Sequence, residues 1–97
     1  STGLVVQAVT RSFAQYLDIP FTKGVIVVEI NEGSSAEDSD LKIGDVILSV
    51  NGIQVNRPTE IRKIISENDL RPSDKLKLKI FRNGKYENIN LILGKSR

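Results

Sequence analysis

Ser34 and Ser35 are adjacent, and Ser34 stands three residues ahead of Glu37, which makes this the first place in the chain to look for a nucleophile. An active serine needs a neighbouring base to take its proton, and the 97 residues include no histidine. No lysine is suitably spaced to replace it. The missing histidine also removes the Ser-His-Asp triad, HExxH zinc sites and histidine pH switching. With no cysteine, there is no disulfide framework and no thiolate metal site. Ser-x-x-Glu is instead the spacing of a helix-capping box, so a brief helix is expected from Ser34 to about Ser39. Glu37, Asp38, Asp40 and Asp45 gather carboxylates but lack the D-x-[DN]-x-[DN]-G spacing of a calcium loop. No metal, cofactor or catalytic residue is therefore expected.

Positive charge is the other chemistry on offer. The net charge is only +2, but residues 1–50 carry three Lys/Arg against seven Asp/Glu, and residues 51–97 carry eleven against five. Lys75, Lys77, Lys79, Arg82 and Lys85 form the densest group. Binding single-stranded nucleic acid also requires stacking aromatics, and only Phe81 and Tyr86 are near. A solvated sheet face is the reading that follows, with no nucleic-acid partner. No apolar run approaches the ~18 residues of a membrane span, so no insertion is expected.

The elements that must position these residues are short. Leu4 to Val9 is apolar and β-branched, as in a strand. Thr10 sits as an N-cap before Phe13, Tyr16 and Leu17, whose spacing puts them on one face of a short helix ended by Pro20. Val25–Ile30 is apolar enough for a central strand, and Asp45–Val50 is another. Asn51-Gly52 and Asn83-Gly84 are hairpin turns, because both residue types tolerate positive φ. Pro58 starts a helix with Ile61, Ile64, Ile65 and Asn68 along one stripe. Leu76, Leu78 and Ile80 alternate with lysines as in a strand with one wet face, and Tyr86 to Leu93 returns beside it. The order predicts a compact α+β domain, mostly antiparallel or a partly open barrel, with five or six strands and two or three helices. The chain starts Ser-Thr-Gly, with neither an initiator Met nor a signal peptide. It is read as a piece of a longer polypeptide or a processed form.

Gly24-Val25-Ile26-Val27-Val28-Glu29-Ile30, then Glu32-Gly33-Ser34-Ser35-Ala36, then Leu41 to Gly52 closely resemble a PDZ domain. The element order resembles the permuted type found in HtrA/Deg serine proteases, with Arg82-Asn83-Gly84 matching an R-x-G turn and Thr10–Ile19 a short insert. The resemblance spans about residues 3–94. It implies a module that captures C-terminal or extended segments of proteins by adding them as a strand. The guest would pair with Leu4, Val5, Val6, Gln7 and Ala8 beside the helix that starts at Pro58. The resemblance further implies a terminal carboxylate held by the amides of Gly3, Leu4 and Val5. Leu4, Val6 and Ile65 would form an apolar pocket, with Pro58, Arg62 and Ile65 facing the groove and Ile61 and Ile64 mainly in the core.

The sequence departs from that pattern at Ser1, where an aromatic is usual, and at Ser35, where Pro is usual. Asp40 and Ser73 stand where Gly is usual, and the turn that Asp40 occupies is expected to need positive φ. An HtrA-type parent would supply its own catalytic residues from a protease domain elsewhere in the chain and would place this domain in the cell envelope or periplasm. Site-2 metalloproteases and carboxy-terminal processing proteases carry similar domains, and an oligomer-contact scaffold is a further alternative.

Overall fold

Two Asn-Gly pairs and one alternating lysine run set most of the sheet. In the computed structural model, which describes residues 2–94, the elements are β1 (Leu4–Ala8), α1 (Arg11–Tyr16), β2 (Val25–Ile30), β3 (Val46–Val50), β4 (Ile53–Gln54), α2 (Pro58–Glu67), β5 (Lys75–Arg82) and β6 (Lys85–Ile92). Ser1 and the tail 95–97 lie outside the described residues, so the aromatic position at Ser1 is not described. Asn51-Gly52 and Asn83-Gly84 adopt the paired positive φ of tight hairpins and leave Val50 opposite Ile53 and Arg82 opposite Lys85. All strand pairs are antiparallel, in the order β1-β2-β3-β5-β6, with β4 beside β3. The sheet does not close, so β1 and β6 are its edges.

The sheet carries a core on each face. Val25, Val27, Ile47, Val50, Leu76, Leu78, Ile80 and Leu91 pack with Ile61 and Ile64 of α2 on one side. Val9, Ala14, Ile26, Val46 and Leu48, joined by Phe13, Ile19, Phe21 and Phe81, form a smaller cluster on the other. A register shift between Ile47 and Ser49 inserts Leu48 as an extra residue in β3, which lets both Ile47 and Val50 reach the larger core.

Three local expectations need correction. Residues 34–39 form turns, not a helix. The capping contacts are present, with Glu37 N–H donating to Ser34 Oγ (3.1 Å) and Gly33 N–H to Glu37 Oε1 (2.9 Å). Propagation fails because Ser39 takes the Ala36 carbonyl through both its N–H and its hydroxyl, the competition that makes serine a poor helix interior. α1 buries Ala14 and half-buries Phe13, while Tyr16 is 88% exposed. The helix ends at Tyr16, and the chain turns through Asp18 at φ 57°, bringing Ile19 inward instead. Asp40, finally, is not at positive φ. Ser73 is, at 78°, in the turn closed by Asp74 N–H to the Arg71 carbonyl (3.0 Å).

One ion pair ties the loop before β3 to the end of β5. Arg82 donates from Nε to Asp45 Oδ1 (2.7 Å) and from Nη2 to Asp45 Oδ2 (2.6 Å). Nη2 also reaches the Asp40 carbonyl (2.8 Å), and Lys42 N–H caps Asp45 Oδ2 (2.8 Å). The hydrogen bond to Asp45 raises the Arg82 pKa above its ordinary value against the opposing effect of desolvation, so the guanidinium stays charged.

Two stability measurements follow. Ser73→Gly is expected to stabilise by about 0.5–1 kcal/mol, the left-handed strain relieved less the added chain entropy. It should show as a melting temperature higher by several degrees, roughly 4–8 °C per kcal/mol. Arg82→Met leaves the Asp45 carboxylate, only 1% exposed, without its counter-charge. A loss of about 3–5 kcal/mol in chemical denaturation is expected, with part of it recovered when Asp45→Leu is added.

Candidate functional site

β1 is an edge strand, and its pairing with β2 determines which of its main-chain groups are spent. Asn31 N–H donates to the Gly3 carbonyl (2.8 Å) and Val9 N–H to the Gly24 carbonyl (3.1 Å), so odd-numbered residues face β2 at both ends. Hydrogen-bonded and non-bonded positions alternate along an antiparallel strand. The amides and carbonyls of Leu4, Val6 and Ala8 therefore turn to the open side, and those of Val5 and Gln7 to β2. The one register shift between these strands skips Val28, so the extra residue sits in β2 and the alternation of β1 is unbroken.

Side chains sort in the same way. Leu4, Val6 and Ala8 are half-buried, while Val5 and Gln7 are exposed. α2 stands beside this edge, and between them lies a groove of about 460 Å³. Its walls are Thr2 and Leu4 on one side and Ile61, Arg62, Ile65 and Ser66 on the other. Leu70, Arg71, Pro72, Leu93 and Gly94 close it. α2 is held in register by Glu60, whose carboxylate accepts from the Asn56 N–H (2.7 Å) and the Arg57 N–H (2.9 Å) at the helix start.

Gly3 is buried at φ 79°, and a Cβ there would lie 2.0 Å from Ser34 Cβ. Glycine is thus required by backbone conformation and by close approach together. Thr2 anchors the same loop, its carbonyl accepting from Ala36 N–H (3.0 Å). The Leu4 N–H donates to Thr2 Oγ1 at 3.3 Å.

Of the residues expected from sequence, Leu4, Ile61, Arg62 and Ile65 meet in the groove. Ile61 is buried, presenting only an edge, and Arg62 is exposed on the rim. Val6 and Ala8 lie along the open side of β1, and Pro58 begins α2 outside the cavity lining. Thr2, Ser66, Leu70, Arg71, Pro72 and Leu93 were not anticipated. Ser66 was readable, four residues after Arg62 on the same helical stripe. Arg71 and Pro72 come from a connecting loop and are placed only by tertiary packing.

A second cavity of about 580 Å³ lies between the end of α1, residues 42–46 and the β5–β6 turn. Its charged pair, Asp45 and Arg82, is already mutually satisfied, and no unpaired strand edge borders it. Of these two cavities, the groove beside β1 is the one bordered by a strand edge with outward main-chain groups.

Amide hydrogen exchange is expected to follow the strand's parity. The Val6 and Ala8 amides should exchange much faster than those of Val5, Gln7 and Val9. Uniform protection along β1 would contradict an open edge.

A family model described as "PDZ domain" matches residues 3–93. The chain is 34% identical over 92 residues to a "Probable periplasmic serine endoprotease DegP-like" of Rhizobium meliloti, covering 95% of this chain and 18% of that protein. It is 32% identical over 92 residues to the protein of the same description from Pseudomonas putida strain F1, covering 95% and 19%. The chain thus spans less than a fifth of these relatives. Among solved structures, "HtrA-type protease AlgW with decapeptide" aligns at TM-score 0.81 and 26% identity, over 100% of this chain and 29% of that one. The HtrA3 PDZ domain bound to a phage-derived ligand (FGRWV) aligns at TM-score 0.79, over 95% of this chain and 83% of that one. At 20% identity the latter is a likeness of fold. With its order of strands, open edge and flanking helix, the chain belongs to the PDZ domain family and is of the HtrA type.

Proposed function

We propose that this domain captures the C-terminal or extended segments of other proteins by adding them as a strand along β1, in the groove against α2. The single observation that carries this is the run of outward main-chain groups at Leu4, Val6 and Ala8. They can supply the ladder bonds to a guest without disturbing any bond to β2. AlgW, an HtrA-type protease of similar sequence, has been solved with a decapeptide, which supports a peptide as the guest.

The terminal carboxylate sits at the Gly3–Leu4 end, where the Leu4 amide opens toward the groove. Gly3 and Val5 complete the cradle expected from sequence, although the strand's parity turns Val5 toward β2 and leaves Leu4 the main donor. The last side chain enters the apolar space of Leu4, Ile61 and Ile65, with Leu70 and Leu93 at its floor. Burial of one aliphatic side chain contributes roughly 1.5–3 kcal/mol before ordering losses, so the affinity is micromolar, on the order of −7 to −8 kcal/mol. Arg62 on the rim favours an acidic residue two positions before the terminus.

The parent is a serine endoprotease of the DegP-like kind and works in the periplasm. The descriptions of the relatives support both, and they favour this parent over a site-2 metalloprotease or a carboxy-terminal processing protease. The protease domain of that parent would be the second partner of this module.

The test is an NMR amide-shift titration with peptides that differ only in their last residue. A Val-ending peptide is expected to bind at micromolar concentration, shifting Leu4, Val6, Ala8 and Ile65, and an Asp-ending one at least about tenfold more weakly. Equal affinities would eliminate the apolar pocket. Shifts confined to the α1 face would move the site elsewhere.

A further inference from the structure

We propose that the Thr2 hydroxyl is a built-in placeholder for the ligand's carboxylate, capping the Leu4 amide in the free domain and lowering affinity for every C-terminal ligand. This rests on the groove assignment above and concerns the occupancy of one donor within it. The Leu4 amide is the first outward donor of β1, because the Gly3 carbonyl is already engaged by Asn31 on the β2 side. Its partner is Thr2 Oγ1, and Thr2 lines the groove. An oxygen that accepts the amide hydrogen lies along the direction from which a carboxylate oxygen approaches it, so a guest and the hydroxyl compete for the Leu4 amide.

The strength of the contact suits a placeholder. At 3.3 Å it lies beyond the 2.7–3.2 Å typical of an N–H···O bond, and both partners are neutral. A carboxylate makes a shorter, charge-assisted bond roughly twice as strong, so it displaces the hydroxyl. The exchange still subtracts the lost contact from the binding free energy. Without the hydroxyl, the half-buried amide would be satisfied less well in the free domain and the guest would gain more. The anchoring of this loop is independent of the hydroxyl, since it is the Thr2 main-chain carbonyl that holds Ala36. The side chain can therefore be changed without releasing the loop.

The experiment compares wild-type protein with Thr2→Val, which keeps the branched shape and removes the oxygen, and with Thr2→Ser, which keeps the oxygen. In the free proteins, the Leu4 amide of Thr2→Val is expected to exchange faster with solvent than in wild type or Thr2→Ser. A Val-ending peptide with a free carboxylate is expected to bind Thr2→Val about three- to fivefold more tightly, the size of one weak neutral hydrogen bond, and Thr2→Ser as wild type. Weaker binding to Thr2→Val would mean that the hydroxyl donates to the carboxylate, and unchanged binding would mean that it is idle. Either result overturns the proposal while leaving the groove assignment intact, provided that Leu4, Val6 and Ile65 still shift on titration. If those amides do not shift in the wild-type protein, the groove assignment itself fails and the proposal with it.

Discussion

The parity of β1 is the constraint on which the rest of the molecule depends. Main-chain donors and acceptors must be paired wherever water is excluded, and a five-residue edge strand pairs only every second residue with its neighbour. Asn31 at one end and Val9 at the other engage odd-numbered positions or their partners, so the even-numbered ones are left outward. Had the extra residue between the strands been placed in β1, the outward set would have changed midway and no guest strand could have followed a single register. β2 absorbs it at Val28 instead. β2 can do so because it is central, held on its other side by β3 and buried through Val25, Ile26 and Val27.

That edge is useful only if the loop before it and the helix beside it are fixed. The Gly3 backbone passes so close to Ser34 that no side chain fits. The Ser34–Ala36 turn in turn bonds back to Thr2 and sits ahead of the loop that Asp45 closes. Arg82 ties that loop to the far end of the sheet through a fork to a carboxylate buried almost completely. A bidentate pair of this kind fixes orientation more than it adds stability, because desolvation offsets much of the attraction. Its service to the groove is positional: it holds the entry to β3, the strand to which the whole edge is docked through β2.

Much of this fold was legible from residue patterns. The two Asn-Gly turns, the alternation of Lys75 to Ile80, the proline at the start of α2 and the largely apolar β2 are local signals, and local signals are read directly. The Ser34–Glu37 segment misled because its capping spacing is real while its continuation is not. Ser39 turns its hydroxyl onto the backbone, a competition visible only once the partner carbonyl is known. Tyr16 misled for a related reason, since helical spacing identifies a face but not the length of the helix that presents it. In the groove, residues carried on regular elements, Leu4, Ile61, Arg62 and Ile65, were found. Thr2, Leu70 and Arg71 lie in connections whose position is set by packing, and no period marks them.

The two edges of the sheet avoid unwanted association by different means. β6 carries Lys85, Glu87, Asn88 and Asn90 exposed along its length, the charged and polar dressing that discourages edge-to-edge pairing. β1 has no charged residue at all. Unscreened, an edge strand reading Leu-Val-Val-Gln-Ala with outward-facing main-chain groups would be an invitation to aggregate. What stands in for charge is α2, which lies beside the edge across a groove of about 460 Å³ and covers it against the edge of a second sheet. A charge on β1 would protect the edge as well, but steric cover by the helix does so without one.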